Sequence, residues 1–320
     1  MNISNKQMTD KTDKLILFEL LQDCRQPASK IAKRLRIPQQ TVTYRIKKLE
    51  KDKIIKKYTV NLDYSKLGFH RHSLYLDLKT VSAKEVDVYL AKITDIKEVS
   101  CCYMLHDISE WKIYISVWTK TIERYDEIQT KIITKFKKYL VNYLSFQSVK
   151  SYTYFARRLN PNAKAKVDIK SEEDNINLKE TDWKIIQKLK SNSTISYLDL
   201  SRSIKTSINT VIRRIKFMQS KGIIQRFYPI LDMNKIGYTE YTFISRIDPS
   251  KSKDVDKFIE YIKKDPRFII VIKAVGYVNL YYAFLVEDSK ELKEIMGNID
   301  KIIGKATLEK HKIEVETMVS

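Results

Sequence analysis

Three cysteines in 320 residues cannot form a closed set of disulfides. Cys101 and Cys102 are adjacent in an apolar stretch, where a strand would point them to opposite faces, so the thiols read as buried groups of a reducing cytosol. Six glycines and six prolines are too few for a collagen-like or low-complexity chain. No G-x-x-x-x-G-K-[ST] loop, G-x-G-x-x-G turn, C-x-x-C pair or H-E-x-x-H helix occurs. The usual carriers of nucleotide hydrolysis, dinucleotide redox chemistry and zinc catalysis are therefore missing, and no metal or cofactor is expected. The opening MNISNKQMTDKTDK lacks the apolar core of a secretory signal. The stretch nearest to a transmembrane span, 268–286, is interrupted by Lys273, Gly276 and Asn279 and suits two buried strands better. The expectation is a cytoplasmic chain without a membrane partner.

Positive charge is what the sequence has in excess. Sixty Lys and Arg stand against 39 Asp and Glu, a net +21, so the partner should be polyanionic, nucleic acid ahead of an anionic membrane surface. The more informative feature is a repeat. Shifting the chain by 169 positions lays Thr12-Asp13 on Thr181-Asp182, Thr41-Val42 on Thr210-Val211, Arg45-Ile46-Lys47 on Arg214-Ile215-Lys216, and Gly68 on Gly237. A period this long duplicates a two-domain unit rather than a solenoid turn. The expected domains are 1–70 and 71–159, a linker at 160–176 carrying the polar run NPNAKAKVDIKSEEDN, then 177–238 and 239–320. Residues 1–70 carry +9, 71–160 +5, 161–240 +6 and 241–320 +1, so a polyanion-binding surface belongs mainly to the first portion of each copy.

That first portion reads as three short helices. Residues 13–22 carry Leu15, Ile16, Leu17, Leu20 and Leu21 in a helical stripe, with Thr12 or Asp13 placed to cap it. Residues 28–35 form a second helix, broken by Arg36-Ile37-Pro38, and 39–51 a third with Val42, Ile46 and Leu49 on one face. Beyond Gln39, which opens it, the opposite face is Gln40, Thr43, Tyr44, Lys47, Lys48 and Lys51. Amide, hydroxyl, aromatic and cationic groups together suit base edges and phosphates in a major groove; the plainer alternative is a solvated lysine face. A following strand or wing at 54–62 completes a winged helix-turn-helix. The second copy turns Val211, Ile215 and Met218 inward and Asn209, Arg213, Lys216 and Ser220 outward, flanked by Ile212 and Phe217. Those two apolar groups either meet thymine methyls or another protein, or mark a copy that has drifted to a structural role. Gln40, Thr43, Tyr44, Asn209 and Arg213 are candidate base readers. Lys47, Lys48, Lys51 and Lys216 are candidate phosphate clamps, and Arg45 and Arg214, nearer the core, do either or brace the helix.

The second portion reads as strand 74–78, helix 84–93, strands 98–105 and 112–118, helix 122–139 and strand 144–154. Its repeat has elements at 239–247, 253–263, 268–274, 280–286, 290–302 and 307–316. This βαββαβ order is ferredoxin-like, leaving one apolar sheet face in need of a partner. The fold class is α+β, two tandem copies of a winged helix-turn-helix followed by a ferredoxin-like domain.

The pattern resembles the Lrp/AsnC, or feast/famine, transcription regulators across nearly the whole chain, twice. An Asp opens the first helix (Asp13, Asp182). The V-x-x-R-I-x-x-L segment is met by Val42-Thr43-Tyr44-Arg45-Ile46-Lys47-Lys48-Leu49 and by Val211-Ile212-Arg213-Arg214-Ile215-Lys216-Phe217-Met218, and Leu67-Gly68 and Ile236-Gly237 close the wing. The resemblance implies a prokaryotic, sequence-specific regulator of double-stranded DNA whose αβ domains meet sheet to sheet. One chain would then be an intramolecular pseudo-dimer, open to further homo-oligomerisation. It also implies a small-molecule effector such as an amino acid at a G-x-x-D turn. The corresponding positions are Asp107 and Glu110 in copy one, which lacks the glycine, and Gly276 and Asn279 in copy two, which lacks the acid. Two rivals remain. Sirohaem decarboxylases look like Lrp/AsnC proteins and occur as fused pairs, and Val99-Ser100-Cys101-Cys102-Tyr103 is similar to a strand near their pocket; His70, His72 and His106 have no counterpart in copy two. The other rival is a co-regulator that binds a protein through Ile212 and Phe217.

Overall fold

The structure, a computed structural model, describes residues 9–79, 88, 90, 91, 93–105, 111–154, 157–161, 167–170 and 174–313. In chain order the first copy holds α1 (Lys11–Gln22), α2 (Ala28–Leu35), α3 (Gln39–Lys51), β1 (Ile55–Leu62), β2 (His70–Leu78), β3 (Val99–Met104), β4 (Ile113–Thr119), α4 (Ile122–Phe136), β5 (Leu140–Tyr154) and β6 (Val167–Lys170). The second holds α5 (Glu180–Ser191), α6 (Tyr197–Ser203), α7 (Ile208–Ser220), β7 (Ile224–Leu231), β8 (Thr239–Ile247), α8 (Ser252–Lys264), β9 (Phe268–Gly276), β10 (Leu280–Val286), α9 (Ser289–Ile303) and β11 (Thr307–Ile313). Most of the helix read at 84–93 lies outside the described residues. Among the described residues no helix is long and apolar enough to cross a membrane, and no group of three His, Cys, Asp or Glu is placed to hold a metal ion.

The chain divides into two compact units. One joins Met1–Leu67, Tyr154–Asp168 and Glu172–Thr239; the other joins Gly68–Thr153, Ile169–Ser171 and Glu240–Ser320. Like portions of the two copies thus come together, helices with helices and sheets with sheets.

In the helical unit α1 is capped by Asp10, one turn earlier than its apolar stripe suggests. The Asp10 carboxylate accepts the Asp13 N–H at 2.8 Å, and Asp13 in return accepts the Asp10 N–H, a reciprocal capping box. After α2 the chain turns through Arg36 in left-handed geometry, which sends the Ile37 N–H back to the Ala32 carbonyl at 3.1 Å. The strand expected as a wing does not fold onto its own copy: β1 pairs antiparallel with β7. Thr59 lies opposite Tyr228, its own repeat equivalent, and the remaining partners exchange about that point, Tyr58 with Pro229 and Val60 with Phe227. Contacts outside the ladder come in matching pairs as well. The Asp63 N–H meets the Ile223 carbonyl at 2.8 Å and the Asp232 N–H meets that of Ile54 at 2.8 Å; the Cys24 N–H meets Phe227 at 2.9 Å and the Ser193 N–H meets Tyr58 at 3.1 Å. Every member of each pair is displaced from its counterpart by 169 residues.

In the other unit the strands run β11-β8-β10-β9-β5-β2-β4-β3, with β6 also on β5. Each half keeps the ferredoxin-like order, fourth strand beside first, first beside third, third beside second. Alternation along the strands sorts two cores. Leu74, Leu76 and Leu78 face Tyr125, Ile128, Ile132 and Phe136 of α4, while Tyr75, Tyr114, Leu144 and Phe146 gather with Ile244, Val278 and Ile313 of the other copy. Cys102 belongs to the first cluster and Cys101 borders the second, on opposite faces of β3. The apolar sheet faces do cover each other. In addition the halves join edge to edge, β5 pairing with β9 from Phe146 opposite Gly276 to Thr153 opposite Ile270.

Candidate nucleic-acid interface

Helices α3 and α7 are held by the same means. Val42 and Leu49 are buried under α3, and Val211, Ile215 and Met218 under α7. A guanidinium ties each helix to the start of the first helix of its copy. Arg45 donates to Asp10 at 2.6 Å and to Asp13 at 2.8 Å, and Arg214 donates from Nε to Asp182 at 2.6 Å. Hydrogen bonds donated to Asp13 and Asp10 raise the Arg45 pKa, and those donated to Asp182 raise the Arg214 pKa, so both stay cationic. Burial favours protonated Asp10, but the Asp13 N–H and Arg45 outweigh it and hold its pKa below the ordinary value. Of the two roles open to these arginines, bracing is the one their geometry serves. A phosphate contact by either would cost the carboxylate pair.

The remaining candidates lie in the open. Gln39, Gln40, Thr43, Tyr44, Lys47, Lys48 and Lys51 are all exposed on α3, and Tyr44, a large aromatic ring, is 68% exposed. Thr43 donates its hydroxyl to the Gln39 carbonyl at 3.0 Å, which leaves its methyl and its lone pairs outward. On α7 Asn209, Arg213 and Lys216 are exposed, while Ile212 and Phe217 are half-buried. The Arg214 guanidinium lies 4.3 Å from the centre of the Phe217 ring, so part of this aromatic is spent on the brace. The faces differ position by position: Thr43, Tyr44, Lys48 and Lys51 correspond to Ile212, Arg213, Phe217 and Ser220. Copy one presents three lysines where copy two presents one.

The effector candidates fare differently. Asp107 and Glu110 lie outside the described residues. Gly276, at φ 138°, is required by strand pairing: a Cβ there would meet the Ser145 carbonyl oxygen at 2.9 Å and the Phe146 Cα at 3.0 Å. The Asn279 amide spans the β8 backbone, donating to the Ile247 carbonyl and accepting the Ile247 N–H, both at 2.8 Å. Both residues make contacts within the sheet. The imidazoles described in copy one are engaged too. His72 is buried, stacks on Tyr125 at 3.9 Å and shares a hydrogen bond with the Thr119 hydroxyl at 3.1 Å, and His70 meets the Gln147 amide at 3.3 Å.

A family profile for winged helix-turn-helix DNA-binding domains matches residues 9–56 and 178–225, spanning the three helices of each copy. An uncharacterized HTH-type transcriptional regulator of Pyrococcus furiosus is 31% identical over 151 residues, which is 45% of this chain and 97% of that protein. One from Pyrococcus horikoshii is 29% identical over 153 residues, again 45% of this chain and 97% of its own length. Each of these relatives is therefore about one copy long. Among solved structures, the siroheme decarboxylase NirDL superposes with a TM-score of 0.60 over 97% of this chain and 92% of its own, at 13% identity, a likeness of fold.

Proposed function

This chain belongs to the HTH-type DNA-binding transcriptional regulators, and we propose that it is of the Lrp/AsnC kind and that its two copies act as an intramolecular pseudo-dimer on a single stretch of double-stranded DNA. The observation that carries this reading is the set of paired contacts, each displaced by 169 residues, through which the two helix-turn-helix portions grip each other. A two-fold arrangement of reading helices matches two half-sites about 34 Å apart, one turn of the duplex. In this scheme Gln39, Gln40, Thr43, Tyr44, Asn209 and Arg213 read base edges, Lys47, Lys48, Lys51 and Lys216 hold phosphates, and Arg45 and Arg214 keep the helices in place. The work is done in the cytoplasm, where the DNA is.

The two faces are chemically unlike, so the preferred operator is asymmetric. Selection from random duplexes by the intact chain should return two different half-sites, and perfect palindromes would contradict the scheme. A small-molecule effector such as an amino acid remains part of the proposal. Asp107, Glu110, Gly276 and Asn279 are its candidate positions. The likeness to NirDL over nearly the full length favours one second reading, an enzyme of the sirohaem decarboxylase kind seated in the αβ unit. Tetrapyrrole absorbance co-purifying with the chain would support that reading.

A further inference from the structure

Among the described residues, Arg36 at φ 56°, Lys53 at 55° and Lys205 at 53° are the non-glycine positions in left-handed backbone. All three are cations, and all three flank a reading helix. Arg36 and Lys205 are repeat equivalents in the turns that lead into α3 and α7, and Lys53 follows α3. Left-handed geometry is costly for any residue with a Cβ, and Lys and Arg lack the short polar side chain with which Asn or Asp offsets that cost locally.

The turn itself does not require a cation. The counterpart of Lys53 is Gly222, at φ 71°, and the backbone around the two is alike. The Lys53 N–H reaches the Glu50 carbonyl at 3.0 Å and the Gly222 N–H that of Gln219 at 3.0 Å; Ile54 reaches Leu49 and Ile223 reaches Met218, both at 2.9 Å. Glycine builds this turn in copy two without strain. What Lys53 adds in copy one is an exposed ammonium, and no ion pair or side-chain hydrogen bond is found for Arg36, Lys53 or Lys205 among the described residues. Strain kept at a position where the repeat itself supplies the relaxed alternative points to a contact made outside the chain.

We propose that Arg36, Lys53 and Lys205 are phosphate clamps at the ends of the reading helices, and that copy one, clamped at both ends, carries the larger share of the electrostatic affinity. This rests on the DNA-binding reading above. The ammonium groups of Lys53 and Lys205 are mobile point charges, suited to a phosphate and unable to make the fork-like contact that identifies a base, so these two clamps add affinity and register without sequence preference, while the Arg36 guanidinium can grip a phosphate with two of its N–H donors.

The test is a salt titration of the intact chain on one duplex, between about 50 and 200 mM, for wild type, Lys53→Gly, Lys47→Ala and Gly222→Lys. Lys53→Gly should reduce the log–log salt slope by about 0.9, so that its affinity deficit shrinks about 3.5-fold across that range. Its melting temperature should equal or exceed that of wild type, because glycine relieves the backbone. Gly222→Lys should gain a similar slope, since a Cβ at Gly222 meets no atom within 4 Å and the φ of 71° imposes the kind of strain that Lys53 already bears at 55°. If Lys47→Ala loses slope and Lys53→Gly does not, the clamp proposal is overturned and the helix reading stands. If neither changes the slope, the DNA-binding reading of copy one fails and the clamp proposal fails with it.

Discussion

The two braces offer a quantitative contrast within one molecule. The Asp182 side chain is fully buried and its partner Arg214 is 15% exposed, whereas Asp10, one of the two carboxylates on Arg45, is 53% exposed. Asp182 also accepts the Lys179 N–H at 2.8 Å, closing the start of α5. Replacing Asp182 with Ala strands a nearly buried guanidinium, which costs about 3–5 kcal/mol, and loses a cap worth about 1 kcal/mol. Asp182→Asn keeps a cap acceptor but removes the charge, so most of the loss should persist. Asp13→Ala leaves Arg45, itself 27% exposed, paired with the more exposed Asp10, and should cost about 1 kcal/mol. Trp183 sits beside Asp182 in the helical unit, while Trp111 and Trp118 lie in the other. Urea unfolding followed by Trp183 fluorescence, with the other two changed to Phe, reads the relevant unit alone. Equal costs at the two braces, or an Asp182→Ala loss below about 1 kcal/mol, would refute the argument that burial sets the difference.

Burial lowers the His72 pKa from 6.5 to about 4, with the charge on His70 acting in the same direction. Between those values the unfolded chain binds the extra proton, so stability of the αβ unit should fall as pH drops from about 6.5 towards 4, by up to about 3 kcal/mol. Urea midpoints at several pH values check this, and His72→Gln should flatten the profile. Gly276→Ala should destabilise the same unit by about 2–3 kcal/mol, because neither the backbone of β5 nor a φ of 138° accommodates a Cβ. A wild-type thermal midpoint in that variant would show that the β5–β9 junction yields more readily than its geometry implies.

The sequence makes legible whatever depends on local periodicity or on the repeat. Helices Ala28–Leu35 and Gln39–Lys51 are legible because apolar residues spaced by three and four positions define one face. Strands Thr239–Ile247 and Leu280–Val286 are legible from β-branched and aromatic runs. The partner of a strand is another matter. Nothing in IKKYTVNL says that β1 pairs with β7 rather than folding into a hairpin, because alternation specifies faces and not neighbours. The edge joining of β5 to β9 was hidden for the same reason, although Gly276, whose side chain would collide there, was already conspicuous as an isolated glycine. The braces depend on Asp–Arg pairs 32 residues apart, a separation that no helical spacing reports. Left-handed backbone at Arg36 and Lys205 has no such marker, since glycine is absent there from both copies, whereas at Lys53 the repeat supplies one in Gly222.

In the pseudo-dimer scheme one chain supplies both reading helices to one duplex. Native mass spectrometry of the complex with a selected operator carrying both half-sites measures this directly. One chain per duplex, unchanged when protein is in excess, is the expected result. Two chains per duplex, one on each half-site, would contradict it.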